Sequence, residues 1–88
     1  MFNETMIQIR NFLDHTPGDI YDFSVLLEDT LVDDYDEMYK EQPKATAILA
    51  DEIPDICASA EPGMSADDIK EFKLKLEKEY QRALQAVI

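Results

Sequence analysis

One cysteine, one histidine, two glycines and no tryptophan occur in the 88 residues. Cys57 stands alone, so no intrachain disulfide can form, and a reducing compartment is the simple expectation. His15 is the only histidine, and no Ser/His/Asp or Cys/His arrangement marks a catalytic centre. No stretch approaches the roughly 20 apolar residues that a membrane span requires. The opening segment MFNETMIQIRNFLDH lacks a basic region followed by an apolar run, so it does not read as a signal peptide. Positive charge is scarce as well. Eight lysines and arginines face 20 aspartates and glutamates, a net charge of −12. Phosphates would be repelled, which argues against direct binding of nucleic acid or of an anionic membrane.

What the chain does contain is hydrophobic residues, at 45% of the total, enough for a folded domain despite the charge. Its length suits one domain, residues 1–88, of modest stability. Apolar residues recur at spacings of three and four, and strict alternation is rare, which predicts an all-α fold. The first helix is expected at about residues 3–14, with Asn3 as its cap and Met6, Ile9, Phe12 and Leu13 facing inward. The segment HTPGD interrupts it. Thr16 then reads as an N-cap, Pro17 as the first helical residue and Asp19 as a carboxylate at the positive end of the dipole. Ile20, Phe23, Leu27, Leu31 and Met38 mark the inner face of the second helix, with Asp34 at odds with that pattern. Pro43 opens a third helix carrying Ala45, Ile48, Leu49, Ile56 and Cys57, expected to be kinked or split at Pro54. After a turn at Glu61-Pro62-Gly63-Met64, Ser65 caps a fourth helix carrying Ile69, Phe72, Leu76, Tyr80, Leu84 and Val87. Four helices with short connections imply a compact antiparallel bundle.

Charge is unevenly spread. Residues 1–68 carry a net −14 and residues 69–88 a net +2, so the last helix is the basic one and is expected to lie against acidic neighbours. The densest acidic stretch is LEDTLVDDYDEMYKE, residues 27–41. It is not an EF-hand, because no glycine supplies the sharp turn and the helical pattern runs straight through. No metal site or cofactor is read from it, and no carboxylate pair stands out for acid–base work. At about 100° per residue, Asp22, Asp29, Asp33 and Asp36 fall on the face opposite the apolar stripe, with Glu37 beside them. Asp29, Asp33 and Asp36 form a row about 10 Å long that imitates successive phosphates. Such a row suits a basic protein partner, since complementary charge speeds association and suppresses wrong partners. The plainer reading is a solvated, solubilising face. Phe2, Tyr21, Tyr35 and Tyr39 are candidate aromatic anchors, with core packing as the alternative, and exposed Glu61 is a candidate rim contact. Cys57, between Ile56 and Ala58, reads as a small core residue, and His15 as a residue near the end of the first helix.

The segments IRNFLDHTPGDIYDFSVLLEDTL and ILADEIPDICASAEPGMSADDIKEFKLKLEKEYQRAL, taken together, resemble the bacterial colicin-like self-protective immunity proteins. These are the helical type associated with colicin D and contact-dependent inhibition toxins. The resemblance covers roughly residues 7–84 and is carried by Phe12, Phe23, Pro54 and the Glu61-Pro62-Gly63 turn. It implies a small cytoplasmic inhibitor that blocks the active site of a basic toxin nuclease; apart from the resemblance, the chain is expected to be monomeric when free and, lacking a recognisable catalytic set, not an enzyme. The partner-binding residues would be Asp22, Asp29, Asp33, Tyr35, Asp36 and Glu37. Two other readings of the same chain are a nucleic-acid-mimicking regulator, or phage-type inhibitor, of a host nucleic-acid-binding protein, and a helical adaptor.

Overall fold

In the computed structural model, which describes residues 1–15 and 20–88, the chain forms α1 (Phe2–Asp14), α2 (Ile20–Glu41), α3 (Pro43–Ala58) and α4 (Ala66–Gln85). The expected N-cap at Thr16, with Pro17 and Asp19, lies outside the described residues. No strand occurs among those described, and the all-α expectation holds.

Pro43 stands in the first turn of α3, where its missing N–H removes no helical bond. A single residue, Gln42, separates it from α2, so the chain reverses sharply there. Ser65 caps α4 as expected: its hydroxyl accepts from the Asp68 N–H at 3.1 Å. The turn before it rests on Gly63, whose φ of +77° is a conformation that side chains with a Cβ rarely adopt.

Two expectations about helix ends need correction. Asn3 does not cap α1, because the helix already includes Phe2 and the capping position falls on Met1. Phe2 is drawn in by burial: it is 2% exposed, a core residue and not an interface anchor. Nor is α3 split at Pro54, since helix runs unbroken from Pro43 to Ala58. Pro54 is exposed, so the one bond it removes lies on the solvent side, while buried Ile53, Ile56 and Cys57 hold the flanking turns to the core.

The helices pack as a four-helix bundle in which α3 lies against α2 and α4, and α1 closes the ring by touching both. Neighbouring helices run antiparallel, as pairs from opposite ends show. Glu41, at the end of α2, accepts from the Phe2 N–H at the start of α1, 3.2 Å away. The Gln42 amide clasps Ile88, donating to its carbonyl at 3.4 Å and accepting from its N–H at 2.8 Å. Phe12 ties three helices together, stacking on Phe23 of α2 (4.0 Å between centroids) and meeting Phe72 of α4 edge-on (5.9 Å). Each fully buried Leu, Ile or Phe contributes about 1.5–3 kcal/mol relative to exposure.

The inner stripe of α4 turns away from the sequence reading toward its end. Phe72 and Leu76 are buried and Ile69 and Tyr80 partly so, but Leu84 and Val87 are exposed. Glu79 and Ala83 take the inner face instead. Glu79 keeps its charge satisfied through Arg82, whose guanidinium donates at 2.8 Å. The lysine and arginine pairs of α4 are likewise internal, Lys75 with Glu71 and Arg82 with Glu79. The ion pair that crosses to another helix runs the other way, from Arg10 of α1 to Glu77.

Candidate partner-binding face

The second helix is amphipathic because Ile20, Leu27, Leu31 and Met38 share one face, which the core covers. Asp22, Asp29, Asp33, Asp36 and Glu37 are all exposed. Asp29, Asp33, Asp36 and Glu37 make no ion pair with a lysine or arginine among the described residues. Asp34, which broke the sequence pattern, is half-buried while the helix continues past it to Glu41, so it sits at the rim of the core. The structure thus leaves Asp29, Asp33, Asp36 and Glu37 as a row of carboxylates facing solvent, without a direct ion pair among the described residues.

A second feature of this helix joins two of the candidate anchors, Tyr21 and Tyr39, to valines that the sequence reading does not single out. Tyr21, Val25, Val32 and Tyr39 are 44%, 42%, 78% and 47% exposed. They recur at spacings of four and seven, so they form an apolar stripe along the edge of the acidic row. The signal was present in the sequence: α2 carries two apolar periodicities, and only one can face the core. Tyr35 is half-buried beside this stripe and stacks on Tyr39 at 5.8 Å. Tyr35 also lines a groove of about 430 Å³ between α2 and α3, together with Leu31, Val32, Ala50 and Pro54, with Glu28 and Asp36 also in its wall.

The remaining candidates fall elsewhere. Cys57 is buried in the core, and burial pushes its thiol up to about 11, with the nearby Ser24 hydroxyl pulling slightly the other way. The Ser24 hydroxyl itself makes no hydrogen bond of good geometry. A protonated, inaccessible thiol is a poor nucleophile. His15 is exposed just after α1, with its backbone N–H donating to the Asn11 carbonyl at 2.9 Å. Glu61 is exposed in the turn before α4. Among the described residues no three His, Cys, Asp or Glu side chains converge on a metal-sized site, and no helix is long and apolar enough to cross a membrane.

Comparison of the chain with known protein families, with curated proteins and with solved structures returns no match. The fold and surface define a four-helix bundle whose second helix presents exposed carboxylates beside exposed aromatic and aliphatic side chains.

Proposed function

We propose that this protein is an acidic inhibitor of the immunity type, which acts in the cytoplasm by seating α2 in the basic cleft of a toxin nuclease. The observation that carries the reading is the pairing, on one helix, of carboxylates (Asp29, Asp33, Asp36 and Glu37) that make no ion pair among the described residues with an exposed apolar stripe. A purely solubilising face needs the charge but not Tyr21, Val32 and Tyr39. A binding face uses both, since aromatics supply buried anchors and carboxylates supply orientation and steering. The nuclease as partner class rests on the resemblance described above and on the phosphate-like spacing of Asp29, Asp33 and Asp36. Residues Asp22, Tyr35 and Glu37 complete the contact surface in this reading.

The test begins with capture of the partner from the native cell. Titration calorimetry then compares wild type with the Asp29→Asn, Asp33→Asn, Asp36→Asn triple variant, at low and at physiological salt. Affinity should fall by about 2–5 kcal/mol where the charge pairs are desolvated. Rim pairs would lose about 0–1 kcal/mol each and weaken steeply with salt. The same variant should inhibit RNA cleavage by the captured nuclease less well. Unchanged affinity in both buffers would place the binding surface elsewhere.

A further inference from the structure

The groove between α2 and α3 carries a feature of its own. Pro54 has no N–H, so the Ala50 carbonyl lacks the donor that a regular helical turn would give it. Ala50 and Pro54 both line the groove, which brings this under-bonded stretch of backbone to its wall. Across from it stand Leu31, Val32 and the ring of Tyr35. Glu28 and Asp36 bound the groove along α2, eight residues apart, or about 12 Å of helix. Glu28 is half-buried, and neither carboxylate makes an ion pair or hydrogen bond among the described residues. The groove therefore combines two carboxylates and a carbonyl short of its helical donor, apolar walls, the phenol ring of Tyr35 and no cation.

We propose that this groove receives an arginine side chain of the basic partner, with its stem along Leu31 and Val32 and its guanidinium between Glu28 and the Ala50 carbonyl. The chemistry of each wall selects that occupant. A guanidinium is a fork of N–H donors with no acceptor, so it matches a site whose polar groups, the Tyr35 hydroxyl apart, are acceptors. It is less strongly hydrated than an ammonium and stacks on aromatic rings, which suits the Tyr35 wall. A long aliphatic stem gains from apolar sides while its head stays paired. An acidic side chain would be repelled, and a purely apolar one would leave Glu28 half-buried and unpaired. This inference deepens the reading of α2 as a surface for a basic partner and rests on it for the partner's charge, but it is tested without the partner.

The experiment is a ¹H–¹⁵N NMR titration of the full chain with N-acetyl-arginine methylamide, and in parallel with N-acetyl-lysine methylamide. The arginine probe should give saturable shifts centred on Val32, Tyr35 and Asp51, at least three- to five-fold tighter than the lysine probe. Two variants locate it. Pro54→Ala restores an N–H to the Ala50 carbonyl, so it should keep or raise the melting temperature while weakening the arginine probe about five-fold or more. Glu28→Gln should weaken it by a similar factor. Equal affinity for the two probes, shifts spread over the outer acidic row, or unaltered binding by Pro54→Ala would overturn the groove assignment. None of those results would touch the partner reading, which stands or falls on the Asp→Asn triple variant.

Discussion

Arg10 of α1 donates from one guanidinium nitrogen to both carboxylate oxygens of Glu77 on α4, at 3.1 and 2.9 Å. Its other nitrogens reach Asp14, at 3.1 and 2.9 Å, and the guanidinium lies 5.2 Å from the centre of the Tyr80 ring. Glu77 first, and Asp14 after it, hold the guanidinium above its ordinary pKa. One side chain thus joins a one-turn pair within α1 to a link between helices.

Because Arg10 is partly exposed, that link is screened by solvent and its worth is modest. Arg10→Ala should lower stability by about 1 kcal/mol, including the lost stacking of its guanidinium on the Tyr80 ring. Arg10→Lys should recover less than half of the loss, since an ammonium cannot serve Glu77 and Asp14 together. Urea denaturation at low and at high salt checks this. An Arg10→Ala effect that is equal in both would assign the loss to packing alone.

Glu41 provides the second test of how the helix ends are tied. Its carboxylate accepts from the Phe2 N–H, and a negative charge at a helix N-terminus is favourable. Glu41→Gln keeps an acceptor oxygen and removes the charge, whereas Glu41→Ala removes both. Thermal melts should therefore rank wild type above Glu41→Gln above Glu41→Ala, with Glu41→Ala lower by roughly 0.5–1 kcal/mol. Equal melting temperatures for all three would show that the α1 N-terminus is satisfied by water.

These ties mark where the sequence is readable and where it is not. Spacing of three and four located all four helices, and local rules located Pro43 and Ser65, because each acts within one turn of its own residue. Asn3 was misread because capping chemistry competed with the burial of Phe2, which only the bundle supplies. Pro54 predicts a kink or a split of α3 because its cost is local, and α3 is not split because the contacts of Ile53, Ile56 and Cys57 that offset that cost are tertiary. Leu84 and Glu79 exchanged places for a related reason: Arg82, one turn away, makes a buried carboxylate tolerable. For the candidate face, the outward direction of Asp22, Asp29, Asp33 and Asp36 followed from helical geometry alone. The groove beside Tyr35 did not, since Pro54 lies 19 residues away in the sequence and only the α2–α3 packing brings it there. The pairing of Arg10 with Glu77, 67 residues apart, was equally hidden.

The buried thiol gives a pH dependence with a definite sign. Burial raises Cys57 from 9.0 to about 11 in the folded chain, while the unfolded chain keeps the ordinary value. Between those values the unfolded state loses its thiol proton and the folded state retains it. Stability should then fall as pH rises through this window and be insensitive to Cys57 below it. The loss is about 2–3 kcal/mol at most, from roughly 1.4 kcal/mol per pH unit. Cys57→Ala should flatten that slope, though it removes some packing at every pH. Denaturation midpoints from pH 8 to 11 provide the measurement, and an identical slope in the variant would mean that another group is responsible.

The acidic row should cost the isolated protein stability, which is what would be expected of side chains kept for a partner. Asp29 and Asp33 are one turn apart, as are Asp33 and Asp36, and none makes an ion pair among the described residues. Like charges at such spacing destabilise a helix by about 0.2–0.5 kcal/mol per pair. The triple Asp→Asn variant should therefore be more stable than wild type by roughly 0.5–1 kcal/mol at low salt, with an unchanged far-ultraviolet circular dichroism spectrum. The difference should shrink towards zero near 1 M salt, where the Debye length falls to about 3 Å. A variant less stable than wild type at every salt concentration would mean that these carboxylates serve the fold, and the case for a partner-directed row would lose its energetic basis.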